Sequence, residues 1–157
     1  MVKAWRYSFQ VEKPESVARA VIRDIPVSYK KLVNIARAIK GMTLEEAKRY
    51  LEGVIKGEEP VPHWTYRKKI PHHAKTADRW GVPQARYPRK AAKYLLKLIQ
   101  NLEANAEGKG LDAEKLRIIH VGVHKSYTLR RYMPRAFGRA TRKFKRFSNV
   151  EAIAAER

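Results

Sequence analysis

Five histidines and fifteen acidic residues are the main side chains here that can ligate a metal or exchange protons near neutral pH, because the chain has no cysteine. A metal or hydrolytic centre needs several of them converging on one point. His72 and His73 are adjacent, so an extended backbone points them apart. His120 and His124 lie in LRIIHVGVH (116–124), whose β-branched residues favour a strand. There they share a face at about 13 Å, too far to chelate one ion. Asp78 is the one acid between Pro60 and Lys93. With His72 and His73 it sketches a nuclease site, yet a single acid among cations reads more simply as a local ion pair. No glycine-rich phosphate loop or nucleophile elbow is present. The expectation is no catalytic residue, no metal site, no cofactor and no small-molecule substrate.

The chemistry the chain is rich in is cationic and aromatic. Its 35 Lys and Arg stand against 15 Asp and Glu, a net charge of +20. That exceeds what solubility requires and points to a polyanion, nucleic acid before an anionic membrane surface. The cations fall into two lobes. The stretch HKSYTLRRYMPRAFGRATRKFKRF (124–147) holds Lys125, Arg130, Arg131, Arg135, Arg139, Arg142, Lys143, Lys145 and Arg146, with no acid among them. Tyr127, Leu129, Tyr132, Met133, Phe137, Phe144 and Phe147 are interleaved, more large apolar groups than a solvated loop needs. The second lobe, residues 57–88 and the start of the next helix, carries Arg67, Lys68, Lys69, Lys75, Arg79, Arg86 and Lys90 among Trp64, Tyr66, Trp80 and Tyr87. Guanidinium groups meet phosphates and rings stack on exposed bases, so this mixture suits RNA.

Those residues need elements to hold them. LRIIHVGV (116–123) and SNVEAIAA (148–155) are apolar runs flanking the basic stretch, and Pro134 and Gly138 bracket its middle. The pattern predicts a β-hairpin over 116–155 with its tip near 129–139, apolar at the base and basic beyond. Arms of about 15 residues at roughly 3.3 Å each reach about 45–50 Å. A bare two-stranded ribbon is marginal in water, so the outer part is expected to take a fixed shape only inside a polyanion. At the base, Ile119, Val121 and Val123 form one alternating set and Leu116, Ile118, His120 and His124 the other; one covers the helices.

Ser28 is placed to cap a first helix bearing Leu32, Ile35, Ala36 and Ile39, which Gly41 stops. Thr43 and Glu46 have capping-box spacing for a second, buried through Ala47, Tyr50, Leu51 and Val54. Pro88 suits the first turn of a third, with Leu95, Leu98, Ile99 and Leu102 inward, ending near Gly108. Residues 17–25 read as a strand. The N-terminal 1–16, with Trp5, Tyr7 and Phe9, reads as an extended arm whose rings, with Lys3, Arg6 and Lys13, lie on a partner. Five prolines make 57–88 a loop without regular structure. The fold class is α+β: three helices on a small antiparallel sheet, with a projecting β-hairpin and a basic proline-rich loop. The whole forms one RNA-binding domain over 1–157, its globular part at about 17–124 and 148–157. No apolar run approaches the roughly 20 residues of a membrane span, and MVKAWRYSFQ has no hydrophobic signal core, so an intracellular setting is expected.

MPRAFGRATR (133–142), with KRFSN (145–149), resembles the universal large-subunit ribosomal protein family numbered twenty-two, whose members carry a near-identical Met-Pro-Arg-Ala-x-Gly-Arg-Ala stretch on a long hairpin. AIKGM (38–42), KAAKYLLKLIQNLEANAEGKGLD (90–112) and LRIIHV (116–121) follow in the family's order. The insertion at 57–88 is similar to the archaeal and eukaryotic branch. The resemblance implies a cytoplasmic, monomeric component of the large ribosomal subunit that binds large-subunit rRNA during assembly beside other large-subunit proteins. It implies a hairpin lining the polypeptide exit tunnel. The tip, Leu129, Arg130, Arg131, Tyr132, Met133, Pro134 and Arg135, would meet nascent polypeptide, with RNA contacts along the shank from Lys125 to Arg146. From the residues alone, a β-arm architectural DNA-binding protein and a non-ribosomal binder of structured RNA remain as alternatives.

Overall fold

In a computed structural model, residues 5–11 and 14–156 are described. Strand β1 (Val17–Ile25) follows a single 3-10 turn at Pro14–Ser16. Helices α1 (Tyr29–Ile39) and α2 (Leu44–Lys56) come next. The 57–88 region holds β2 (Val61–Pro62), α3 (Ala74–Trp80) and β3 (Ala85–Arg86). Helix α4 (Arg89–Glu107) leads to β4 (Leu116–Leu129). The tip strands β5 (Tyr132–Pro134) and β6 (Ala140–Arg142) flank a turn at Ala136–Gly138, and β7 (Lys145–Glu156) returns.

The sheet is antiparallel in the order β1-β7-β4, so the returning arm of the hairpin is the central strand. The helices bury their apolar stripes on one face of it. Leu32, Ile35 and Ile39 of α1, Leu51 and Val54 of α2, and Leu95, Leu98, Ile99 and Leu102 of α4 are essentially inaccessible to water. The class is α+β as the pattern predicts. The capping box of α2 forms as expected, with Glu46 N donating to Thr43 Oγ1 and Thr43 N to Glu46 Oε2. The turn between α1 and α2 also closes one sheet edge: Gly41 N donates to Ile118 O at 2.8 Å and Ile118 N to Met42 O at 3.0 Å, which shields backbone groups that would otherwise offer a free edge.

Four expectations need correction. Ser28 precedes α1 but its hydroxyl makes no capping bond. The segment 57–88 is not structureless: besides its two-stranded ladder and the bridge His72–Gln84, it contains a fourth helix, α3. Its prolines act as acceptors. Tyr50 Oη donates to Pro60 O, Ala85 N to Pro71 O, and both His73 N and Thr76 Oγ1 to Pro83 O. Proline lacks a donor but keeps its carbonyl, so a proline-rich chain can be woven by its neighbours. Asp78 takes part in no ion pair among the described residues; Arg79 pairs instead with Glu59 at 3.4 Å.

The last correction concerns the sheet face. Leu116 and Ile118 are both fully buried in the helix-facing core, and Val121 and Val123 pack against that core as well. Simple alternation forbids that grouping. A β-bulge resolves it, since Ile118 pairs with Ala154 and His120 with Ile153, leaving Ile119 as an extra residue. One inserted residue moves every later side chain to the other face.

Candidate nucleic-acid interface

The shank of the hairpin is zipped by the Thr128–Arg146 and Leu129–Lys145 pairs, and its tip by Tyr132–Arg142, Met133–Thr141 and Pro134–Ala140. A second irregularity lies between Lys125 and Thr128; bulges add twist to a ribbon. The reversal uses Phe137 at φ 57° and Gly138 at φ 67°. For phenylalanine the left-handed region is uncommon, and it leaves the ring 98% exposed. Arg135 N closes the loop on Arg139 O at 2.8 Å, and Arg135 Nε reaches Thr141 Oγ1.

Four of the ribbon's rings pair with one another, and two of those also lie under its own cations. Tyr127 stacks on Phe147 at 4.6 Å between centroids, and Tyr132 meets Phe144 edge-on. Arg142 lies over Phe144 and Lys145 over Phe147. These contacts stiffen the shank while leaving Tyr127 and Tyr132 more than half exposed. All nine basic residues from Lys125 to Arg146 are exposed, and among the described residues none forms an ion pair with a carboxylate. Lys125, Arg130, Arg131, Arg135, Arg139, Arg142, Lys143, Lys145 and Arg146 thus form one uncompensated ridge. Repulsion along it is relieved by a polyanion.

The second lobe divides. Arg67, Lys68, Lys69, Lys75, Arg79, Arg86 and Lys90 are exposed. Arg67 Nε donates to Trp64 O and Arg86 Nη2 to Lys69 O, which fixes the backbone bearing them. Trp80, read from the sequence as an RNA contact, is instead partly buried against the core, edge-on to Tyr50 and Trp64, with Arg79 over its ring. Trp64 carries Arg37 over its face in the same cluster. The two indoles hold the insertion to α1 and α2, each with a guanidinium over its ring.

Asn34, fully buried in α1, was not singled out from the sequence. Its side chain donates to Lys30 O and Thr65 O and accepts from Thr65 N at 3.2 Å. A polar residue in an apolar helical stripe must find partners, and here they are the insertion's backbone. Tyr66, next along, sits at φ 59° with its ring beside Lys30 Nζ.

On the sheet face away from the helices, Glu151 is fully buried. Trp5 Nε1 donates to its Oε2 at 2.6 Å, and Ser8 N and Ser8 Oγ donate to Oε1. His120 and His124 Nε2 lie 3.5 and 3.4 Å from the same Oε1. Strand spacing predicts these histidines about 13 Å apart, yet both Nε2 atoms converge on one carboxylate oxygen of Glu151, the residue opposite Gly122 in the ladder. Burial pushes the Glu151 carboxyl up, but the bonds from Ser8, Trp5 and His124 outweigh it and hold the group down at about 2. The described part of the N-terminal arm therefore lies on this chain's own sheet, with Phe9 stacked on His120 at 5.2 Å, rather than extending toward a partner. Arg6 is exposed; Lys3 and Lys13 fall outside the described residues. A lone glutamate in the apolar run SNVEAIAA was the available signal for this node.

A family profile described as "Ribosomal protein L22p/L17e" matches residues 20–155. The chain is 53% identical to the "Large ribosomal subunit protein uL22" of Hyperthermus butylicus and to that of Ignicoccus hospitalis. It is 49% identical to that of Aeropyrum pernix. Each alignment covers 97% of both chains.

Proposed function

Because the chain belongs to the L22p/L17e family of ribosomal proteins, in its archaeal form, we propose that it is a structural constituent of the large ribosomal subunit in the cytoplasm and acts by binding large-subunit rRNA. The family consists of ribosomal components rather than enzymes. The observation that carries the RNA reading is the ridge of nine exposed cations, with no carboxylate partner among the described residues, mounted on a core through the central strand of its sheet. The core fixes the ribbon's root, and the ribbon's cations neutralise phosphates that separate RNA helices must bring together during assembly. The tip, from Leu129 to Arg139, is the part furthest along the ribbon from the core. In this reading it lines the polypeptide exit tunnel, with Arg130, Arg131 and Arg135 toward nascent chain. The protein acts as a monomer beside neighbouring large-subunit proteins.

Sedimentation of a cell lysate through sucrose, repeated after a high-salt wash, tests the assignment. Counterion release makes surface polycations salt-labile, whereas a ribbon threaded through RNA resists extraction. Stoichiometric retention on the large subunit after the wash is expected. Recovery at the top of the gradient, or complete loss in salt, would overturn it. Crosslinking from Tyr132 or Met133 to nascent peptide tests the tunnel placement separately.

A further inference from the structure

A cleft of about 320 Å³ opens where the start of α1, the insertion and the root of the hairpin meet. That is the small end of the roughly 300–1,000 Å³ range of ligand clefts. Lys30, Lys125 and Arg146 line it together with the rings of Tyr29, Tyr66 and Phe147, and no carboxylate is among the lining residues. Lys30 Nζ lies 5.0 Å from the Tyr66 ring centroid, and Lys125 Nζ lies 5.7 Å from that of Tyr29. Among the described residues none of the three cations has an acidic partner. Asp24, the acid that engages the hairpin root, accepts a hydrogen bond from Ser126 Oγ and lies outside the lining.

Two features mark the cleft as built. Tyr66 holds a positive φ that costs a non-glycine residue energy, and the buried Asn34 clamps the preceding Thr65 to keep it there. The strained backbone leaves the Tyr66 ring 48% exposed on the cleft wall. Ser28, at the rim, keeps a hydroxyl that the helix does not use.

We propose that this cleft seats a single unstacked RNA nucleotide, its base on the Tyr66 face, its phosphate among Lys30, Lys125 and Arg146, and its ribose hydroxyl within reach of Ser28. The proposal rests on the RNA-binding reading and names a subsite within it. Cations alone would suit any phosphate; the open ring adds a preference for a base, and the hydroxyl suits a ribose. The cleft joins the two basic lobes, because Tyr66 precedes Arg67, Lys68 and Lys69 and Lys125 begins the ribbon. A nucleotide seated here would lock the insertion to the hairpin root.

The test irradiates full-length protein bound to transcribed archaeal large-subunit rRNA at ultraviolet wavelengths, then digests the RNA and maps nucleotide adducts by mass spectrometry. An adduct on the Tyr66 or Tyr29 peptide is expected. Tyr66→Leu should abolish the Tyr66 adduct and weaken binding about tenfold, as loss of one base stack does, while Tyr66→Phe retains affinity within about twofold because its ring survives. If Tyr66→Leu binds like wild type while Arg130→Gln/Arg131→Gln weakens binding, the cleft proposal fails and the RNA reading stands. If wild-type protein does not bind the rRNA, both fail. Equal adduct formation with a DNA strand of the same sequence would overturn the ribose assignment.

Discussion

Gly122→Ala gives a sharp test of the sheet's outer face. Glycine inside a strand ordinarily costs about 0.5–1 kcal/mol relative to alanine, so the substitution looks stabilising. The structure reverses the sign. A Cβ at position 122 would stand 2.7 Å from Glu151 Oε1, 2.9 Å from Glu151 Cγ and 3.0 Å from His120 Nε2. The carboxylate must retreat, and it is fully buried, held by Trp5 and Ser8 with both histidines within 3.5 Å. Weakening one or two charge-assisted hydrogen bonds at about 1.5–3 kcal/mol each outweighs the backbone gain. A net loss of about 2 kcal/mol is expected, which lowers Tm by about 4–8 °C at this chain length. Urea unfolding followed by tryptophan fluorescence reads it. The same change made in a Glu151→Ala background has no carboxylate to displace and should be neutral or stabilising by about 0.5–1 kcal/mol. Equal destabilisation in both backgrounds, or a stabilised single variant, would refute the reasoning.

The same carboxylate sets an acid limit. Its folded pKa is depressed from 4.5 to about 2, so the unfolded chain takes up a proton in a range where the folded one does not. The stabilisation, on the order of 2–3 kcal/mol, is complete above about pH 4.5 and is lost as pH falls toward 2; Glu151→Gln should flatten that part of the pH profile, and an unchanged profile would exclude the linkage. Asn34→Ala removes the clamp on Thr65 and leaves backbone groups without their partner, for an expected loss of about 1–3 kcal/mol by urea unfolding, with the insertion becoming protease-sensitive before the core does. Arg130→Gln/Arg131→Gln should reduce the salt dependence of rRNA affinity, its log–log slope falling by about 1 per cation lost; an unchanged slope would place those residues away from phosphate. Amide exchange in free protein should be fast over residues 130–143, where side chains are exposed, and slow in α4; equal protection would refute the view that the ribbon's outer part fixes its shape on RNA.

Much of the scaffold was legible because its signals are local. The 3.6-residue spacing of Leu95, Leu98, Ile99 and Leu102, and the Thr43–Glu46 box, depend only on neighbours along the chain. What escaped depends on pairing across the chain. The bulge at Ile119 is visible only against β7, and it puts Leu116 and Ile118 beside Val121 and Val123. Helix α3 hides among prolines because the carbonyl that receives His73 N and Thr76 Oγ1, Pro83 O, follows the helix and folds back onto its start. Trp80 carries the same composition signal whether it faces RNA or Tyr50; only the fold decides. Glu151 and Asn34 interrupt apolar patterns but were passed over, because their partners, Ser8 and Thr65, are distant in sequence. The basic ridge was legible outright, since an acid-free run has no partner nearby to lose its charges to.

The strand order has a consequence for synthesis. Strands β1 and β4 each pair with β7, which the ribosome makes after both. Every ladder of the main sheet therefore waits for residues 145–156, long after the helices have been translated. Non-local pairing is slow to form in any case. During that interval the inner faces of the helices have no closed sheet to rest on. A growing copy thus carries bare apolar helix faces until β7 arrives, and needs mutual packing of those helices or a chaperone to keep them from aggregating.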